Sequence, residues 1–280
     1  MKVQKYLLTT LLIATLIVSG LALGACSKDK GNASSGTDDK VIKFAVCNLK
    51  AYEDTTKVLA EEVKKLGYTL DYTLLADNTQ INESVESGEY FANYHQHTPY
   101  MDEFNKTHSA HLAAAFPVFT DTAGIWSTKY KDINELPDGA RISVPNDPGN
   151  NFRTFVILAD AGLLTLKDGV SETDITKNDI IGNPKNFEFI EVDYTMLARS
   201  IEEADAGFLY ATVAAEIGLT VNDALLLERE DLRAADIIAV REENIGSEKA
   251  EILKKAYYTD AVKQAFLDTY DGKDILVPAW

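Results

Sequence analysis

The sequence predicts an α/β protein of two lobes with a ligand cleft between them. Three observations carry that expectation. From residue 41 onward, short β-rich runs alternate with helical stretches, the pattern of parallel strands joined by crossover helices. The chain has 280 residues, 46% hydrophobic and 25% charged, which is enough for two cores of ordinary size. The N-terminus carries a secretion signal, which puts the folded part outside the cytoplasm.

That signal comes first. Lys2 and Lys5 precede an apolar run from Tyr6 to Leu23, and Leu23-Gly24-Ala25-Cys26 follows. The Cys after Leu-Gly-Ala resembles a bacterial lipobox. The resemblance implies removal of a signal peptide, residues 1–25, and acylation of Cys26, which anchors the chain to the lipid bilayer on the outer side of a cell membrane. An uncleaved anchor helix is the alternative. Residues 26–40 are Gly, Ser, Asn, Asp and Lys with almost nothing apolar, a flexible tether. Residues 41–47 read as a strand. Residues 53–66 read as a helix, with Val58, Leu59, Val63 and Leu66 on one stripe and Gly67 as its stop. Residues 69–75 complete a βαβ opening. Strands are then expected at 90–94, 112–119, 141–144, 187–192, 206–210 and 237–241. Helices are expected at 99–106, 151–161, 196–204, 248–257 and 259–269. Lobe one is expected to span 41–118 plus 234–280, and lobe two 119–233.

Composition excludes several functions. The 27 Lys+Arg stand against 44 Asp+Glu, a formal charge of −17, so no basic stripe exists to neutralise nucleic-acid phosphates. Two cysteines make neither a disulfide scaffold nor a four-Cys zinc site, and with Cys26 acylated Cys47 is a lone thiol. No G-x-G-x-x-G, P-loop, H-E-x-x-H or G-x-S-x-G is present, so neither an enzyme nor a bound cofactor is expected.

Two stretches could bind a small molecule. Pro145-Asn146-Asp147-Pro148-Gly149-Asn150-Asn151-Phe152-Arg153 follows a strand and opens a helix. Asn150 reads as its N-cap, the helix start attracts anions, and Arg153 adds a fork of donors suited to a carboxylate. The bland alternative is a capped helix with a surface arginine. All four histidines lie between 95 and 111. His95 and His97 share one face of a strand, and His108 and His111 could share a helical turn. Together they raise a zinc site, against one or two pocket histidines plus exposed ones. Tyr90, Phe91, Tyr94 and Tyr100 crowd the same region, as pocket wall or as plain core.

The same stretches carry a likeness. Phe91 to Met101, with Tyr-His-Gln-His-Thr-Pro-Tyr-Met at its centre, resembles a segment of the NlpA-type methionine-binding lipoproteins (MetQ-like). So do Val144 to Arg153, Ala161 to Gly169, Asn183-Pro184-Lys185-Asn186 and Ala239-Val240-Arg241-Glu242. The likeness runs from about residue 41 to Trp280 in the family's order. It implies the substrate-binding component of an ABC importer, which captures an amino acid or small peptide between two lobes and delivers it to a permease. Carried over by position, it implies that Arg153 and Asn150 hold the ligand carboxylate and that His97 and Tyr100 line the pocket. At four further pocket positions this chain departs from the family, with Asn78, His95, Tyr210 and Asp236. Two apolar wall positions become polar and one amide becomes a carboxylate, so the expected ligand is more polar than methionine, or basic.

Overall fold

The computed structural model describes residues 38–269 and 276–280. Cys26, the signal peptide and most of the expected tether lie outside the described residues. The tether's last three positions, Asp38–Lys40, form one 3-10 turn that leads into the first strand.

β1 (Val41–Cys47) is almost wholly apolar because it lies inside a sheet, with β2 (Thr69–Leu75) and β3 (Ala92–His97) parallel on either side. α1 (Lys50–Lys65) joins β1 to β2 and buries Ala51, Tyr52, Leu59 and Val63. α2 (Asn78–Glu86) follows, capped by Asp77, whose carboxylate accepts from the Gln80 amide. Next come α3 (Thr98–His108) and β4 (Leu112–Asp121).

The chain then crosses into a second sheet. Its strands are β5 (Ala123–Trp126) and β6 (Arg141–Pro145), which α4 (Pro148–Asp160) follows. After a small antiparallel pair, β7 (Thr165–Leu166) and β8 (Ile180–Gly182), come β9 (Glu188–Val192), α5 (Leu197–Glu203), β10 (Ala206–Tyr210), α6 (Ala211–Glu216) and β11 (Ala224–Leu227). The sheet order is β11-β5-β10-β6-β9. β12 (Ala235–Arg241) returns to the first sheet, and α7 (Glu248–Tyr257), α8 (Asp260–Thr269) and β13 (Leu276–Pro278) complete it in the order β13-β4-β12-β3-β1-β2. Each sheet has its own core. One packs Phe44, Tyr94, Phe119, Tyr257 and Phe266, the other Trp126, Ile142, Phe155 and Phe208. The expected two-lobed α/β architecture is therefore present. Among the described residues no helix is long and apolar enough to cross a membrane.

Three sequence expectations are corrected. The strand expected at 90–94 is Ala92–His97, all six positions buried although Asn93, His95, Gln96 and His97 are polar. It holds because Asn82 of α2 acts as a hub. The Asn82 Oδ1 accepts from Asn93, His95 and Gln96, and its Nδ2 donates to Gln96. The helix expected from Asn151 starts at Pro148 instead, so Asn150 lies within the first turn and Asp147 is the N-cap residue. Proline at the first helical position has the right φ and lacks only an N–H that would have no helical partner. Finally, α3 stops at His108, because Ser109 takes a left-handed conformation, and His111 is not on its face.

One glycine binds the two halves closely. A Cβ on Gly149, at the start of α4, would lie 2.8 Å from the Tyr100 Cα on α3. Only a residue without a side chain lets these two helix starts meet.

Candidate functional site

The chain passes between the sheets twice, after Asp121 and again between Leu227 and Ala235. Side chains from both crossovers and from the ends of β3, β10 and β12 converge there, where open α/β sheets place their ligands. They line a cavity with Tyr52, Asn78, His95, Gln96, His97, Tyr100, Asp121, Asn150, Tyr194, Tyr210 and Asp236 in its wall. Its free space is about 20 Å³, room for roughly one water molecule. Asn78, Tyr100 and Tyr194 also border an outer groove of about 560 Å³, together with Asp77, Asp147 and Asp193.

Seven of the eight ligand positions read from the sequence stand in the cavity wall. The eighth, Arg153, lies one layer behind it. Its Nε donates to Glu228 Oε2 at 3.0 Å and its Nη2 to both Glu228 oxygens at 2.6 Å. The two side chains are 2% and 0% exposed. Glu228 is itself pinned, since the Ala123 amide donates to its Oε1 at 2.7 Å. The remaining edge of the guanidinium, Nη1, donates to the Tyr210 hydroxyl at 2.6 Å. Tyr210 in turn donates to Asn150 Oδ1, which also takes the His97 Nε2–H at 2.7 Å. Asn150 Nδ2 donates to Asp147 Oδ1 at 2.9 Å. One chain of hydrogen bonds thus runs from Glu228 through Arg153, Tyr210 and Asn150 to Asp147.

The tautomer of each pocket histidine follows from its partners. His97 Nδ1 accepts from the Tyr100 amide at 3.2 Å, so its proton is on Nε2. His95 Nε2 faces the Asn82 amide oxygen at 2.9 Å and must donate, which leaves Nδ1 a bare acceptor. Burial holds both rings neutral, pulling each pKa down to about 3. The neighbouring His97 reinforces this at His95, and Arg153 does so at His97.

The carboxylates shift the other way. Asp236 Oδ2 accepts from the Tyr52 hydroxyl at 2.5 Å, and burial still pushes its pKa up to about 6. Asp121 Oδ2 accepts from Thr212 Oγ1 at 2.5 Å. Burial, opposed by Thr212 and aided by Asp236, raises it to about 8. Partial burial raises Asp147 to about 6, against the hydrogen bond from Asn150.

Sequence reasoning missed Tyr52, Gln96, Asp121, Tyr194 and Glu228. The signal for Glu228 is a single acid closing the apolar run 224–227. The suggested histidine metal site does not assemble. His108 stacks on Phe104 at 4.3 Å, and His111 faces Glu86 at 3.3 Å on the surface, while His95 and His97 line the cavity. Among the described residues no group of three or more His, Cys, Asp or Glu could hold a metal ion.

Comparison with known proteins fits this architecture. The family described as NlpA lipoprotein matches residues 42–280. The D-methionine-binding lipoprotein MetQ of Salmonella typhi is 33% identical over 261 residues, which cover 91% of this chain and 93% of that protein. A lipoprotein structure from Ruminococcus gnavus is 38% identical with a TM-score of 0.79, covering 86% of this chain and all of the other. A periplasmic substrate-binding protein of an ABC transporter from Coxiella burnetii is 27% identical with a TM-score of 0.79, covering 85% of this chain and all of the other. The Salmonella protein is named for D-methionine binding and the Coxiella protein for substrate binding, neither as an enzyme. The chain belongs to the NlpA lipoprotein family.

Proposed function

We propose that this member of the NlpA lipoprotein family is the substrate-binding component of an ABC importer, capturing an amino acid or small peptide between its lobes for a membrane permease. The observation that carries the reading is the cavity at the two crossovers, lined from both sheets, in a chain whose relatives include methionine-binding lipoproteins. Lobe one is taken as 41–118 plus 234–280 and lobe two as 119–233. Closure brings them together on the ligand, an equilibrium that the bound solute shifts.

His97, Tyr100, Asn150 and Tyr210 shape the pocket, with His95 and Asn78 on its polar side. Asp236 receives an ammonium or a basic side chain. Where a methionine pocket gains from an apolar, polarizable wall, His95 and Asp236 offer hydrogen bonds and Tyr210 adds a polar wall, so the solute is more polar than methionine. Mass spectrometry of solute released from the purified, denatured protein tests this directly. Recovery of a polar or basic amino acid or small peptide supports the reading, and recovery of methionine alone removes the specificity part. Acylated Cys26 supplies the membrane anchor, because an acidic body gains nothing from anionic headgroups. Cys26→Ala should release the protein from the membrane fraction with its affinity unchanged.

A further inference from the structure

We propose that His95 selects the solute by its side chain, admitting an amino acid or small peptide whose side chain donates an N–H and rejecting one that ends in a thioether, a hydrocarbon or a carboxylate. This rests on the importer reading above and names the class of solute the cleft takes.

His95 is 7% exposed and stands in the cavity wall, yet its Nδ1 makes no hydrogen bond. The direction of the missing bond is fixed from behind. Asn82 Oδ1 takes the proton of Nε2, so Nδ1 can only accept. Asn82 cannot turn to offer an N–H instead, because its Oδ1 also receives the side-chain amides of Asn93 and Gln96 and its Nδ2 donates to Gln96 Oε1. Burial keeps the ring neutral near pH 7, so the lone pair stays in place. Asp121 Oδ1 is also open in this wall, but a carboxyl group accepts when ionised and donates when protonated. The fixed direction belongs to His95.

The position of His95 assigns it to the side chain of the solute. His97 lies two positions further on, on the same face of β3, roughly 7 Å along the strand. Around His97 the donors gather. Arg153 Nη1 reaches Tyr210, and Tyr210 and His97 both donate to Asn150. Asp236 stands opposite His97 in the register of β3 and β12. A carboxylate is drawn to the first group and an ammonium to Asp236, so the solute backbone sits level with His97. Its side chain then runs toward His95, a span that glutamine or lysine covers. A thioether or methyl there leaves Nδ1 without a donor, and a carboxylate sets lone pairs against it. A buried acceptor left unpaired discriminates more sharply than a lost methylene.

The test is calorimetric titration of the full chain with two matched pairs, glutamine against methionine and lysine against norleucine, and with glutamate as the probe that only accepts. At least one donor should bind about tenfold or more tighter than its partner, with glutamate weaker than that donor. His95→Phe removes the lone pair and leaves Asn82 Oδ1 with its other two donors. In that variant the favoured ratio should fall to about threefold or less while methionine binds no worse than before, a crossed change that misfolding does not produce. A ratio below about tenfold in both pairs, or glutamate binding tightest, overturns the proposal and leaves the importer reading standing. So does a preference that survives His95→Phe, or recovery from the purified protein of a solute whose side chains carry no N–H. If only the co-purified solute binds, His95→Phe must weaken it about tenfold or more, or the proposal falls. If no member of the panel binds and no solute co-purifies, both readings fall.

Discussion

The two walls of the cleft treat their buried polar atoms in opposite ways. On the wall from α4, β10 and the end of β11, five side chains are joined in one relay, although Thr154 Oγ1 on α4 is buried without a partner. Glu228 holds Arg153, Arg153 holds Tyr210, Tyr210 holds Asn150, and Asn150 holds Asp147. On the wall from β3 and the end of β4, a ring nitrogen and a carboxylate oxygen are left open. Both walls are rich in the residue types that bind amino acids, yet their roles differ. A saturated network is rigid and resists rearrangement, whereas an unsaturated one is receptive to a ligand. Residue type alone would assign recognition to the arginine wall. Satisfaction of hydrogen bonds adds the open acceptors of His95 and Asp121 to that assignment.

The strongest way to break this contrast is to cut the saturated wall. Arg153→Ala leaves Glu228 buried and unpaired and should cost about 3–5 kcal/mol in denaturant unfolding. Replacing both partners by apolar residues, Arg153→Met with Glu228→Leu, should recover most of that loss. An Arg153→Ala protein as stable as the parent would mean that the pair does not organise this wall.

The next test disturbs how the walls meet. Gly149→Ala places a Cβ against Tyr100, and overpacking of this kind costs about 1–3 kcal/mol. Because the clash exists only where α3 and α4 touch, the loss should fall on closure. Every ligand should weaken about tenfold, small-angle scattering should show a larger ligand-free particle, and each lobe should keep its fold. Unchanged affinity would place the closing contact elsewhere.

A milder perturbation is pH, to which the buried histidines and the buried aspartates of the cleft respond with opposite signs. Unfolded histidine titrates near about 6.5 and aspartate near about 4. Burial holds His95 and His97 down to about 3, so the unfolded chain binds their protons first and stability rises from about pH 3 to about 6.5. Burial holds Asp236 and Asp147 up to about 6 and Asp121 up to about 8, so the native state keeps protons the unfolded chain has lost and stability falls across about pH 4 to 8. Above about pH 6.5 the decline belongs to Asp121 alone among these five. The ligand-free protein should lose on the order of 1–2 kcal/mol between about pH 6.5 and 8, and Asp121→Asn should flatten that slope. A parent protein whose stability is level across this window would contradict the open carboxylate.

The smallest effect sharpens the contrast from outside the cleft. His108→Ala with His111→Ala should change neither ligand affinity nor, beyond about 0.5 kcal/mol, stability, since His111 and Glu86 form a surface pair. Zinc should not raise the melting temperature of parent or variant. A zinc-dependent rise lost in the variant would restore a metal role.

Much of the fold was legible because it follows from periodicity. The βαβ opening and the last two helices stand where the apolar spacing puts them. Among the described elements, α2, β5, β7, β8, α6, β11 and β13 had no counterpart in the sequence reading, and β3 was displaced by a few residues. α2 has only Ile81 and Val85 as an apolar stripe, too few to see. β5 carries Gly124, a weak strand former, because the Leu226 carbonyl oxygen would lie 2.3 Å from a Cβ there. β3 looks polar because its partners are the amides of Asn82 and Gln96 rather than solvent. The site was legible in its members and not in its wiring. Local sequence shows that Arg153 can hold a carboxylate; it does not show that Glu228, 75 positions away, is that carboxylate.

The narrowness of the cleft also has a kinetic consequence. With about 20 Å³ of free space, the cavity as it stands has room for about one water and none for an amino acid. On the importer reading proposed above, uptake waits for the lobes to part. In stopped-flow traces the observed rate should climb with solute concentration and then level off at the opening frequency. Past that plateau, delivery to the permease is limited by how often the molecule opens, however abundant the solute outside.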